Sequence, residues 1–120
     1  MTAAALVIMF LACAGIVAVG TRFLLAPRIA MAGYGIAPDS LRGLTAIKGV
    51  RDITSGVVLL VVWAAADHTA LGWAMVAAAI TPVADALIVL RNGGKLATAL
   101  GIHGLTAALL VAGGLVLALS

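Results

Sequence analysis

The chain has 120 residues, of which 65% are hydrophobic and 9% are charged, and its mean hydropathy is +1.30. Average soluble chains are about half apolar and about one quarter charged, so this composition excludes an ordinary soluble globular domain. The formal net charge is +3 and the pI is near 9.8. Because the basic residues flank apolar runs, they favour anionic lipid head groups rather than nucleic acid as partners.

The first apolar run, from about residue 4 to residue 25, predicts a membrane span, which needs roughly 20 apolar residues. It ends at Arg22 and Phe23, which form an interfacial pair, and Pro27 follows as a stop. The run is longer than the ~7–15-residue core of a signal peptide, and no basic side chain precedes it. We therefore expect it to stay in the mature protein.

The connection from residue 26 to residue 44 is interrupted by Gly33, Gly35 and Pro38, so it is not expected to cross the membrane. Its apolar residues, which include Tyr34, predict a segment that lies on the cytoplasmic surface or folds back over the bundle.

The second span, from about residue 45 to residue 66, carries charge into the membrane. Residues 53–66 alone would extend only about 21 Å, which is shorter than the ~30 Å hydrocarbon core. The helix must therefore begin near Thr45, and its first two turns must contain Lys48, Arg51 and Asp52.

The last two spans are predicted at about residues 70–90 and 96–119. The first of them contains Pro82 and Asp85, and the second contains His103. The turn between them, residues 91–95, contains Gly93 and Gly94, which tolerate positive φ.

The distribution of basic residues predicts the topology. All of them flank the first and third connections, whereas the termini and the second connection have none. Because positive charge near spans is retained in the cytoplasm, we expect both termini outside. The prediction is one all-α, multi-pass domain over residues 1–120 in the cell membrane, a four-helix bundle of two helical hairpins. The basic residues are Arg22, Arg28, Arg42, Lys48, Arg51, Arg91 and Lys95.

This topology predicts that Asp52, Asp85 and His103 lie at one depth, roughly 7–11 Å below the cytoplasmic boundary. A charged side chain at the bilayer centre costs about 2.5–3.5 kcal/mol, and less near the boundary. The three side chains are therefore expected to face the bundle interior, with Arg51 or Arg22 as the counter-charge. Such a cluster predicts a functional site by default.

Structural roles are the alternatives for these residues. Basic side chains near span ends commonly determine topology and extend toward the interface. Asp52 can simply pair with Lys48 or Arg51, and Asp85 with Arg51 or His103. A metal site is not expected, because His68 and His103 are predicted near opposite ends of the bundle.

Three motifs resemble a known family. They are Lys-Gly-Val-Arg-Asp at residues 48–52, Pro-x-x-Asp at residues 82–85 and Gly-Ile-His-Gly at residues 101–104. Together with Arg-Phe at 22–23 and Gly-Tyr-Gly at 33–35, they resemble DUF4267, a family of small four-helix membrane proteins. The resemblance implies that the polar positions above are the family's polar positions, but it implies no activity.

The leading functional hypothesis is an intramembrane enzyme that uses acid and base groups on a lipophilic small molecule, without a cofactor. Asp52 would remain ionised as base or charge stabiliser, Asp85 would be the acid, and His103 would relay a proton. Epoxide opening, isomerisation and cyclisation are reactions that suit such a site. The predicted catalytic residues are Arg51, Asp52, Asp85 and His103, and the predicted substrate-binding residues are Arg22, Tyr34 and Lys48.

Two other hypotheses remain open. A proton-coupled transporter would require a homodimer to enclose a path, although the polar groups cluster near one face rather than at the midplane. A non-catalytic accessory subunit would use the same charges as a structural ion network. The lipid bilayer is a partner in all three cases.

Overall fold

The structure, a computed structural model, describes residues 2–120. The described residues are all-α and contain no strand. Seven α-helices and one π-helical stretch, which we call the π segment, follow in chain order. They are α1 (Thr2–Leu25), α2 (Pro27–Tyr34), α3 (Leu41–Ala65), α4 (His68–Ala78), α5 (Ile80–Arg91), α6 (Leu96–Thr98), the π segment (Ala99–Gly104) and α7 (Leu105–Leu119).

Three stretches of helix are long and apolar enough to cross a membrane: Thr2–Leu25, His68–Arg91 and Leu96–Leu119. The buried apolar residues are few and mostly small, whereas large apolar side chains such as Ile8, Phe10 and Leu11 are about two-thirds exposed. A soluble monomer rarely exposes contiguous apolar surface on this scale. Both observations indicate a membrane protein.

The chain divides into two compact units, the first of which ends at Val50. In this unit α2 packs against α1. Pro27 occupies the start of α2, where its missing N–H costs no hydrogen bond, and Gly35 ends the helix at a φ of 100°. The rings of Phe23 and Tyr34 meet edge to face, with centroids 5.9 Å apart. Part of the predicted connection is therefore a short helix folded back on α1.

Helix α3 begins at Leu41, four residues before the predicted start near Thr45. The reason is a cap: the Ser40 hydroxyl accepts a hydrogen bond from the Gly43 backbone N–H at 3.1 Å. Serine at this position satisfies an N–H that otherwise has no partner in the first turn. The cap lengthens α3 to 25 residues.

The second unit, Arg51–Ser120, is held together mainly by α4 packed against α7. Gly72 and Gly114 face each other at this contact. A Cβ at Gly114 would lie 2.7 Å from the Gly72 carbonyl oxygen, and a Cβ at Gly72 would collide with the backbone at Gly114 and Ala118. Glycine therefore allows the two helix backbones to approach closely, as small residues do between membrane helices.

Two of the predicted spans are interrupted rather than regular. The third is divided at Ala79 into α4 and α5, because Pro82 has no N–H and its ring clashes with the carbonyl of Ala78. The fourth contains the π segment, in which His103 lies. The turn between them has Gly93 at a φ of 77°, as its sequence predicts.

Candidate functional site

Asp85 on α5 and His103 in the π segment face each other. The His103 Nδ1 and the Asp85 Oδ2 are 4.0 Å apart, which is ion-pair distance when the imidazole is protonated. Their side chains are 28% and 32% exposed, so the pair is neither sealed in a core nor freely solvated. Catalytic hydrogen bonds are often long in the absence of substrate, and a shift of about 1 Å would bring these atoms into contact.

The backbone around this pair is shaped by both helix interruptions. Helix α5 packs against the π segment, and Ala99 at the start of that segment is fully buried. Each π turn adds a residue to the helical repeat and so changes which side chain faces a neighbour; such turns are rare and are frequent at functional sites. Gly101 and Gly104 lie in this segment, and Gly104 has ordinary helical backbone angles.

A cleft of about 220 Å³ lies between α3, the α4–α5 break and α7. On α3 its lining residues follow the helical repeat i, i+3, i+4, i+7, which places them on a single helix face. They are Asp52, Ser55, Gly56 and Leu59 on α3, Ala78, Thr81 and Pro82 at the α4–α5 break, and Leu110 on α7.

The cleft is open because α3 stands away from its neighbours. Among the described residues of the second unit, no Cα of α3 approaches another helix within 8 Å. Asp52 is at the end of the lined face of α3 nearest Lys48 and Arg51, and the remainder of the face is small or apolar. A carboxylate thus borders a mostly apolar space that is open to a small molecule.

The helical repeat connects the cleft to the Asp85–His103 pair. Asp85 follows Thr81 by four residues and Pro82 by three, so it lies one turn further along the same face of α5. Leu110, which lines the cleft, follows His103 by seven residues, which is about two turns. The pair does not line the cleft; Asp85 lies one turn from it along α5, and His103 about two turns from it along the last helix.

The other predicted site residues are placed differently. Arg51 does not line the cleft; its backbone carbonyl accepts a hydrogen bond from the Ser55 hydroxyl at 2.9 Å. Arg22, Tyr34 and Lys48 belong to the first unit. There the Arg22 guanidinium lies over Gly33, where an added Cβ would be 3.5 Å from both terminal nitrogens. The role of Arg22, Tyr34 and Lys48 in substrate binding stays a prediction.

Sequence reasoning did not select Ser55 or Thr81, which line the cleft. The signal for Ser55 was its position three residues after Asp52, on the same helix face. The signal for Thr81 was its place directly before Pro82, where the helix was expected to lose a backbone hydrogen bond. Hydroxyl side chains of this kind can form hydrogen bonds within or between membrane helices.

The family described as Domain of unknown function (DUF4267) matches residues 13–117. The chain belongs to this family. The match includes every residue of the predicted catalytic and substrate-binding sets, and the DUF4267 resemblance of the three sequence motifs is thereby confirmed. Comparison with curated proteins and with solved structures gives no significant match.

Proposed function

We propose that this DUF4267 protein is an intramembrane acid/base enzyme that acts on a small lipophilic molecule. The observation that carries the proposal is the Asp85–His103 pair, 4.0 Å apart, beside a cleft bordered by the carboxylate of Asp52. Two carboxyl groups in different surroundings, with a histidine next to one of them, can divide acid and base roles.

The proposed membrane arrangement has four spans, with both termini outside the cell membrane. Helix α3 is the second span in chain order, in addition to the three long apolar stretches: at 25 residues it extends about 37 Å, enough to cross the ~30 Å hydrocarbon core. Its charged residues lie in its first half, where the basic ones can reach the cytoplasmic interface. The distribution of Lys and Arg along the chain supports this orientation.

In the proposed chemistry, protonated Asp85 donates its proton to an oxygen of the substrate. For an epoxide, the C–O bond breaks as that oxygen becomes a hydroxyl. Asp52 then accepts a proton from a neighbouring carbon, and the electron pair of that C–H bond forms the new double bond. The product is an isomer of the substrate, so no co-reactant is consumed. The cycle closes when Asp52 releases the proton that it accepted and Asp85 receives one through His103.

The size and lining of the cleft support a small apolar substrate. Its volume of about 220 Å³ is below the ~300–1,000 Å³ typical of pockets for drug-sized ligands. Gly56, Leu59, Pro82 and Leu110 give it a largely apolar surface. A lipophilic molecule would enter from the bilayer, so the open side of the cleft suits its delivery.

The Asp85→Asn variant, measured against a panel of small isoprenoid epoxides, tests the proposal. Asparagine keeps the shape but cannot donate the acidic proton, so turnover should fall by about 10²–10⁴-fold. Melting temperature in detergent should change little, because a neutral amide is cheaper to bury than a charge. If Asp85 only balances a cation, the variant should instead lose stability. Full activity of the well-folded variant, or no turnover of any panel member by the unmodified protein, would overturn the proposal.

A further inference from the structure

The break between α4 and α5 leaves a backbone acceptor at the cleft. Pro82 has no N–H, so the carbonyl of Ala78 lacks the hydrogen bond that a regular helix would supply four residues later. Ala78 and Pro82 both line the cleft. In an apolar surrounding, a carbonyl without its usual donor is costly, and a ligand group that donates to it is stabilised.

Thr81 adds a hydroxyl at the same place. Thr21, Thr45 and Thr106 each donate their hydroxyl to the carbonyl four residues earlier, at 2.7–2.8 Å. The Thr81 hydroxyl makes no hydrogen bond to any described residue, although Thr81 also lies within a helix and lines the cleft. Its proton and its lone pairs are therefore available to a ligand.

We propose that the substrate is a small lipophilic epoxide that also carries a free hydroxyl group, and that this hydroxyl group binds at Ala78 and Thr81. A hydroxyl donates one hydrogen bond and accepts others, so it can donate to the Ala78 carbonyl while accepting from the Thr81 hydroxyl. An ether can only accept, and a hydrocarbon can do neither. Ser55, the other hydroxyl of the cleft, already donates to the Arg51 carbonyl. This inference rests on the proposed function, because it places the substrate in the same cleft.

The binding of geraniol, its methyl ether and the parent hydrocarbon to the full chain in lipid nanodiscs tests this inference. Empty nanodiscs provide the correction for partition into lipid. Each hydrogen bond contributes roughly two- to tenfold in affinity, so geraniol should bind that much more tightly than the ether, and the ether more tightly than the hydrocarbon. Equal affinity for geraniol and its ether would overturn the inference.

Variants of Thr81 locate the hydroxyl site. Thr81→Val keeps the side-chain shape and removes the hydroxyl, so the ether should bind no better than the hydrocarbon. Thr81→Ser keeps the hydroxyl, so this variant should again bind the ether more tightly than the hydrocarbon. Thr106→Val is the matched control, because Thr106 donates to the Ile102 carbonyl and does not line the cleft. An unchanged preference in folded Thr81→Val, or the same loss in Thr106→Val, would contradict the assignment.

The same binding measurement on Asp85→Asn separates this inference from the proposed function. That variant should retain the preference for geraniol over its ether, because the two groups proposed to bind the hydroxyl, at Ala78 and Thr81, are unchanged in it. If the unmodified protein prefers geraniol over its ether but has no catalytic activity, the proposed enzyme function is wrong and the hydroxyl-binding site is retained. If the protein is catalytically active but shows no preference for geraniol over its ether, the hydroxyl-binding site is wrong and the enzyme function is retained.

Discussion

Two helix arrangements in the second unit differ in how closely the backbones approach. At the α4–α7 contact, Gly72 and Gly114 bring the backbones so close that neither position has room for a methyl group. At the cleft, α3 stands away from its neighbours, and the facing surfaces carry Asp52 and Thr81. Apart from the facing glycine, the residues that an added Cβ at either glycine would meet are Met75, Val76 and Ala118, which are not ionisable, whereas Asp52 lines the cleft.

This difference indicates that the two regions have different roles, one in stability and the other in activity. Lipid tails are as apolar as leucine, so membrane helices associate through close packing rather than through a hydrophobic effect. The glycine contact supplies that packing. At the cleft α3 makes no such close contact, and Asp52 and Thr81 line an open space there. We therefore expect substitutions at the contact to change stability and substitutions at the cleft to change activity.

The largest expected effect is at the cleft. Asp52→Asn should reduce turnover of a lipophilic epoxide by about 10²–10⁴-fold, because the amide cannot accept the proton. The free energy of unfolding should change by about 0.5 kcal/mol or less, since Asp52 is exposed. Asp39→Asn is the control, because Asp39 is also exposed but lies in the connection before α3. An Asp52→Asn protein that unfolds easily would show that the cleft is structural.

The next effect is at the close contact. Gly72→Ala places a methyl group against the backbone of α7, so it should destabilise the protein by about 1–3 kcal/mol. Turnover per folded molecule should be unchanged. Gly15→Ala in α1, where a Cβ meets nothing within 4 Å, should be neutral or stabilising by about 0.5–1 kcal/mol. Thermal unfolding in one detergent compares the two variants, and equal melting temperatures would refute the role of the contact.

A smaller effect is expected at the start of α4. The Asp67 carboxylate accepts a hydrogen bond from the Ala70 N–H at 2.7 Å and caps the helix. Asp67→Ala should lower the free energy of unfolding by about 0.5–2 kcal/mol without affecting catalysis. The Asp39→Ala variant removes a carboxylate that caps no helix, and its melting temperature should remain that of the unmodified protein. Lost activity in folded Asp67→Ala would place part of the site at this turn.

The smallest effect concerns the first unit. Tyr34→Leu removes the edge-to-face contact with Phe23, which should cost about 0.5–1.5 kcal/mol. Tyr34→Phe keeps both rings and should leave the melting temperature unchanged. Equal stability of the leucine and phenylalanine variants would show that the ring contact does not hold α2 on α1.

The sequence predicted the helical class, the family and the approximate bounds of the long apolar helices, because long apolar runs are strong local signals. It also selected Asp85 and His103, which face each other across two helices. It did not predict the cap by Ser40, the break at Ala79 or the π segment. Those features depend on single hydrogen bonds and on contacts between distant residues, which apolar periodicity does not encode. Thr81 was missed for the same reason.

The central claim is that Asp52 and Asp85 act on one substrate molecule at one site, and a double-mutant cycle in turnover tests it most directly. Residues that act as a unit give losses that do not multiply. Asp52→Asn and Asp85→Asn should each reduce turnover by about 10²–10⁴-fold, and the double variant should be about as impaired as the worse single variant. Losses that multiply in the double variant, or a single variant with unchanged turnover, would contradict the claim.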